Sequence, residues 1–456
     1  MLMCRGAVLL LLLLAVVAAT ASAFSLSSLT SLPGKAISSV TPTKASKQQD
    51  DGSKSGGNIL TKLVDKAVNT TSKVVSAVVP NVNGTTYNTF KALFTTVGSC
   101  IGSMERGWED EELGDFTVGK ESPYCNSACS RDYFCCAPQR PEELTVNFFF
   151  SGKRGQHYEL RLNDSKSQQL IRQNPKLVWI IHGLGNDITS SDQIFNKTRD
   201  AYLDRGYSVV LVDWHKGNRL YNQAMANVRI VGALTGQMML RMGVAGNSLC
   251  AGFSLGSHVC GEAGSWVKKR GGKLARCIGI DPAGPGFDGC SSSIRLDKKD
   301  CGVVTSIHTS QFKGITSIPL EEGLGTKEKT GHCDFWANMG KEQPTCDNTT
   351  IGSFAGLLAT GQFKQLGSDI GYSLACSHSR GMQYFFSQVS HTCNFRGVRA
   401  ECGGGAACTR ADIDDEDFDD NGQPLLQEMP LPPDDKCDTR YDADFTFDTT
   451  GKEPFC

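Results

Sequence analysis

Between residues 176 and 309 the chain alternates apolar runs with amphipathic segments, and this alternation narrows the fold more than any other feature. "KLVWIIHG" (176–183) reads as a buried strand, and "SSDQIFNKTRDAYLDRG" (190–206) as a Ser-capped helix stopped by Gly206. "YSVVLVDW" (207–214) is a second strand, and "LYNQAMANVRIVGALTGQMMLRMG" (220–243) a long helix. "NSLCAG" is a strand, and "LGSHVCGEAGSWVKKRGG" a helix whose Lys268, Lys269 and Arg270 suit its C-terminus. "ARCIGIDP" and "VVTSIHTS" add two more strands. Strand–helix repetition of this kind predicts an α/β fold with a mostly parallel central sheet flanked by helices.

The rest of the chain sets the context. Arg5 precedes "AVLLLLLLAVVAA", which is apolar but too short for a membrane span, and "ASA" at 21–23 offers small residues for cleavage. Residues 1–23 thus read as a secretory signal peptide and predict a secreted, extracellular protein. Removing Cys4 with that segment leaves 19 − 1 = 18 cysteines, an even number that in an oxidising compartment points to disulfides. Five sequons (Asn69, Asn83, Asn163, Asn196, Asn348) agree with that route and predict a glycoprotein. Residues 24–95 are rich in Ser, Thr, Lys, Val and Gly and read as a low-complexity, disordered extension. A domain spanning 96–456 follows, its last part (394–456) expected to be a loop-rich, disulfide-rich tail. A net charge of −2 gives no reason to expect nucleic acid as a partner.

Ser254 stands between glycines in "GFSLG", where the predicted strand meets the predicted helix. Small flanking residues let the chain turn sharply there and present the hydroxyl above the sheet edge. A serine needs a general base, and the base an orienting acid. Asp281, at the end of the strand "GIDPAGP", is the acid on the same sheet edge. Four histidines follow it: His308, His332, His378 and His391. His308 lies inside a strand and His391 beyond a helix. His378, read at a loop-to-helix junction, is preferred, with His332 left open.

At these residues the chain resembles the pancreatic lipase family. "IHGLGN", "LVDWHKGN", "NVRIVGA", "GFSLGSHVCGEAG", "IGIDPAGP", "IRLDKKD", "IHTS", "GHCDFWANMGKEQPTC" and "ACSHSRGMQYF" follow that family's motif order over about 145–395. The resemblance implies an α/β-hydrolase fold and a catalytic triad of Ser254, Asp281 and His378. It also implies an oxyanion hole from the backbone N–H groups of Leu184 and Leu255. One departure is Phe253, where the vertebrate digestive members carry a histidine. "SIRLDKKD" resembles the family's calcium loop. Carried over, the ligands are the carbonyls of Ser292 and Arg295 and the side chains of Asp297 and Asp300, with Cys290 and Cys301 expected to staple the loop. The calcium is expected to be structural, and no cofactor is expected in catalysis.

The interval between Cys346 and Cys376 corresponds to the family's lid (347–375), with its ends joined by that disulfide and Phe354, Leu357 and Leu358 as its apolar face. A second calcium-like pattern, Asp417, Asp419, Asn421, Gly422 and Glu428 in "DFDDNGQPLLQE", lacks flanking helices and reads as a solvated acidic loop. No second lipid-binding β-sandwich is legible after His378, so no colipase partner is expected. The expected activity is hydrolysis of lipid carboxyl esters at a lipid–water interface, triacylglycerol first. A phospholipase A1 is the alternative within the chemistry, although the 29 residues between Cys346 and Cys376 exceed the short lids of such relatives. A non-catalytic lipid-binding or yolk-type protein is the alternative outside it.

Overall fold

The computed structural model describes residues 107–117, 137–174, 176–188, 193–218, 221–311, 323–346, 363–403, 406–410, 427–429, 437 and 443–456, with the backbone alone for 193, 222, 363–375, 403, 406–410, 427 and 428. Residues 1–23, read as a signal peptide, residues 24–95, read as a disordered extension, and Phe354, Leu357 and Leu358, expected in the lid, lie outside the described residues.

A two-residue pair, β1 (Glu109–Asp110) and β2 (Gly114–Asp115), forms a small hairpin. The main sheet is built from β3 (Asn147–Ser151), β4 (Tyr158–Glu159), β5 (Leu177–Ile181), β6 (Ser208–Asp213), β7 (Ser248–Phe253), β8 (Arg276–Ile280), β9 (Val303–His308), β10 (Cys333–Ala337), β11 (Arg396–Gly403), β12 (Ala406–Arg410), β13 (Gln427–Glu428) and β14 (Ala443–Phe447). Its helices are α1 (Ser165–Arg172), α2 (Gln193–Asp204), α3 (Tyr221–Arg241), α4 (Leu255–Lys269) and α5 (Phe363–Val389). The strand order is β12-β11-β14-β10-β9-β8-β7-β5-β6-β3-β4. From β14 through β6 every neighbouring pair is parallel, and the pairs at both margins are antiparallel. This is the mostly parallel sheet that the alternation implies, in the α/β-hydrolase arrangement that the resemblance implies.

Strands β5, β6 and β7 are buried along their whole length. Helices cover both faces of a parallel sheet, so these strands read as continuous apolar runs rather than alternating ones. One apolar cluster joins Trp179, Val210 and Val212 to α3 and α4, and the other joins Val178, Ile180 and Leu211 to α2 and α5. The hairpin adds Trp108, Leu113 and Phe116 to the first cluster, and Trp266 Nε1 donates to the Leu113 carbonyl at 2.8 Å. Among the described residues no helix is long and apolar enough to cross a membrane.

Two local expectations change. The tail after residue 394 is not loop-rich throughout: β14 adds in parallel to β10, and β11 and β12 continue the sheet beyond it. These strands gain their stability from pairing with a sheet laid down much earlier in the chain, and their short sequences carry little signal of which strand they meet. His378 lies well inside the 27-residue helix α5 rather than at a loop-to-helix junction. That helix begins at Phe363, within the interval read as lid. The disulfide Cys346–Cys376 expected at the lid's base is present.

Candidate active site

Ser254 sits between β7 and α4 with φ 57° and ψ −121°, a conformation that side-chain-bearing residues seldom adopt. The surrounding bonds over-determine it. Ser254 N–H donates to Ile280 O at 3.0 Å, and Ser254 O accepts from Ser257 N at 3.1 Å and Ala283 N at 3.3 Å. The glycines have a steric reason. A Cβ on Gly252 would lie 2.0 Å from Gly256 O, and one on Gly256 would lie 2.3 Å from Ile181 O. The turn is tight enough that neither position admits a side chain.

Asp281 follows β8 on the same sheet edge and is fully buried. Its Oδ1 accepts Thr309 N at 2.7 Å and Ser310 N at 3.2 Å, and its Oδ2 accepts the Ser310 hydroxyl at 2.5 Å. The same Oδ2 lies 2.6 Å from His378 Nδ1. His378 is 5% exposed and Ser254 6%, so both sit beneath the surface. The His378 ring rests against Phe253, the residue before the serine, with centroids 4.8 Å apart.

The other histidines are committed elsewhere. His308 is buried, with Nε2 2.7 Å from Asp334 Oδ1 and its ring stacked on Trp336. His332 Nδ1 accepts Val304 N at 3.0 Å, at the start of β9 and therefore at the opposite end of the sheet from Asp281. His391 is exposed and faces Arg205. Among these four, His378 is the one joined to Asp281.

The turn after β5 lies against the serine. A Cβ on Gly183 would stand 2.7 Å from Ser254 Cβ and 3.3 Å from its Oγ, so only glycine allows this approach. Leu184 follows directly, and Leu255 opens α4, whose first-turn N–H groups have no acceptor within the helix. Beneath the turn, His182 Nε2 lies 3.0 Å from Asp213 Oδ1, and His215 Nδ1 lies 2.7 Å from Asp213 Oδ2. Burial opposes ionisation of Asp213, but its contacts with His182 and His215 outweigh that and hold the carboxyl below its usual range. Ser310, Thr309 and Asn218 belong to this site too. Sequence reasoning missed them because short polar residues in loops give no signal of which distant group they meet.

The loop 292–300 packs on α4. His258, wholly buried, has Nε2 2.8 Å from Ala283 O and Nδ1 accepting Leu296 N at 3.0 Å, and burial pulls its pKa down to about 3. Asp300 Oδ1 accepts Ser265 Oγ at 2.7 Å, and its Oδ2 accepts Asp297 N at 2.8 Å. Burial pushes the Asp300 carboxyl up to about 7 against those bonds, and Glu262 and Asp297 push in the same direction. Among the described residues there is no group of three or more His, Cys, Asp or Glu that would hold a metal. Two carboxylates with backbone carbonyls is a different donor set, all hard oxygen. Hard oxygen donors of this kind suit calcium by their chemistry. The expected Cys290–Cys301 staple is corrected: Cys301 bonds Cys277, tying the loop's end to β8. Of the EF-hand-like pattern, Glu428 lies in β13, paired with Arg396, and the rest falls outside the described residues.

The family model described as Lipase matches residues 113–403. Pancreatic lipase-related protein 2 of Homo sapiens is 30% identical over 273 residues, covering 57% of this chain and 55% of that protein. Pancreatic triacylglycerol lipase of Oryctolagus cuniculus is 28% identical over 296 residues, covering 63% and 60%. Phospholipase A1 VesT1.02 of Vespa tropica is 32% identical over 240 residues, covering 49% and 68%. The chain thus spans little more than half the length of the pancreatic relatives it matches.

Proposed function

The chain belongs to the Lipase family, and from that premise we propose that it is a secreted serine hydrolase that cleaves carboxyl esters of lipids at a lipid–water interface, triacylglycerol first. The observation that carries the reading is the 2.6 Å contact between His378 Nδ1 and buried Asp281, with the His378 ring packed beside the strained Ser254 turn. Ser254 Oγ attacks the ester carbonyl while His378 takes its proton. Asp281 holds the ring and stabilises the imidazolium. The N–H groups of Leu184 and Leu255 receive the negative charge that develops on the carbonyl oxygen. His378 then protonates the departing alkoxide, leaving an acyl-enzyme. Water, activated by the same histidine, releases the fatty acid and restores Ser254.

Several parts of the reading go with it. Calcium held by Asp297, Asp300 and the carbonyls of Ser292 and Arg295 would pin the loop on α4 and takes no part in the chemistry. The Cys346–Cys376 loop acts as a lid, with Phe354, Leu357 and Leu358 turning toward lipid when it opens. No colipase is required. The disulfides Cys250–Cys260, Cys333–Cys437 and Cys393–Cys456 suit the extracellular setting.

The protein purified from secreting cells should release fatty acid from emulsified triacylglycerol faster than from phosphatidylcholine vesicles. Its rate on a short-chain ester should rise sharply once substrate passes from solution to emulsion. A rate that saturates below the solubility limit would remove the lid from the reading. The 32% identity to a phospholipase A1 favours a second reading, phospholipid as substrate. The reverse preference between the two lipids would establish it.

A further inference from the structure

The turn that lies over Ser254 has a dedicated clamp. Asn218, 1% exposed, stands after β6 and reaches across to the turn after β5. Its Nδ2 donates to Gly183 O at 2.8 Å and to Asn186 O at 2.8 Å, and its backbone carbonyl accepts Gly185 N at 3.1 Å. A primary amide has two N–H donors, and the two shortest contacts of Nδ2 are these carbonyls, with His182 Nδ1 farther off at 3.2 Å. Trp214 Nε1 holds the preceding His182 carbonyl at 2.9 Å, and His182 Nδ1 lies 3.1 Å from Gly183 O.

Gly183 C=O and Leu184 N–H belong to the same peptide unit. That unit is planar and trans, so its C=O and N–H point in opposite directions. Fixing the carbonyl therefore fixes the N–H. Glycine at 183 is required by the approach to Ser254, yet it leaves the peptide freer to rotate than any other residue would. We infer that Asn218 is the positioning residue of the oxyanion hole: it holds the Gly183 carbonyl away from the reacting centre and thereby keeps the Leu184 N–H aimed at it. The inference rests on the proposed role of Leu184. A turn released from this clamp can flip, which withdraws the N–H and puts a carbonyl oxygen in its place.

The test uses the full chain, a soluble substrate (p-nitrophenyl butyrate) and n-butaneboronic acid. In the boronate adduct, boron gains the Ser254 oxygen and the serine proton passes to His378, giving a tetrahedral anion with one oxygen in the hole. Asn218→Ala, if it melts cooperatively, should lose about 10- to 100-fold in kcat, part of the roughly 10²–10³ that a missing oxyanion donor costs. KM should change little, and the boronate inhibition constant should rise by the same factor as kcat/KM falls. Asn218→Ser keeps a polar group in the same pocket but cannot reach both carbonyls, and should move the same way if the alanine variant does not fold. A folded variant with unchanged kcat and boronate affinity overturns the inference, as does a loss confined to KM. Ser254→Ala separates the two levels: if it retains hydrolysis, the proposed function itself fails, and if it is inactive while Asn218 variants are normal, only the clamp fails.

Discussion

Gly325→Ala should cripple the enzyme from a position with no chemical group at all. The backbone of Gly325 is not in the left-handed region, so alanine meets no conformational penalty there. The obstacle is space: the new Cβ would stand 2.4 Å from Asp281 Oδ1, 2.7 Å from its Cγ and 2.6 Å from Ser310 O. Ordinary contact begins at 3.4 Å, so about 1.0 Å (3.4 − 2.4) must be found. The turn cannot supply it freely, because Gly325 N and Thr326 N donate to Ser310 O at 2.5 Å and Pro282 O at 2.6 Å. The carboxylate therefore takes part of the shift and carries the His378 ring with it. A misplacement of about 1 Å costs roughly 10²-fold in rate, or about 2.7 kcal/mol in the barrier. Overpacking should also cost about 1–3 kcal/mol of stability, a fall of several degrees in Tm. The assay is kcat/KM on p-nitrophenyl butyrate beside a thermal melt. A variant that loses those degrees but keeps kcat/KM within about threefold would refute the reasoning, because the turn rather than Asp281 would then have moved.

Other outcomes follow from the same geometry. Ser254→Ala and His378→Ala should each lose at least about 10⁴-fold in kcat while remaining folded and secreted, and His332→Ala should not; a severe loss confined to His332→Ala would move the base there. Excess chelator should lower the Tm of the wild type but not that of Asp297→Ala, and an identical wild-type melt with and without chelator would remove calcium from the loop. His258 is held neutral, with its pKa pulled down from 6.5 to about 3 by burial. The unfolded chain binds a proton there below pH 6.5 and the folded one does not, so this stability is complete above pH 6.5 and falls by about 1.4 kcal/mol per unit as pH drops toward 3. Urea unfolding at pH 6 and pH 4 should therefore show a steeper loss in the wild type than in His258→Gln; equal slopes would show that the imidazole is not kept neutral.

The central part of this fold is legible in the sequence because its signals are local. Continuous apolar runs at β5, β6 and β7 and helical periodicity at α2 and α3 are properties of a dozen or so neighbouring residues. Ser254 is legible because the strand-to-helix turn that exposes it needs small residues on either side. Asp281 is legible because it ends a strand on the same edge. His378 is different: spacing leaves His332 open, the family's motif order favours His378, and its partner lies 97 residues away in the chain. Only the tertiary structure decided that this histidine comes from inside α5, that Ser310 and Gly325 close around Asp281, and that Asn218 grips the turn over Ser254. It also decided that Ala443–Phe447 pairs with β10 and that Cys301 bonds Cys277. Each of these is a contact between segments far apart in the chain, made by short polar side chains, glycines or brief strands. Which distant group such a residue meets depends on how the layers stack, and periodicity carries no record of that.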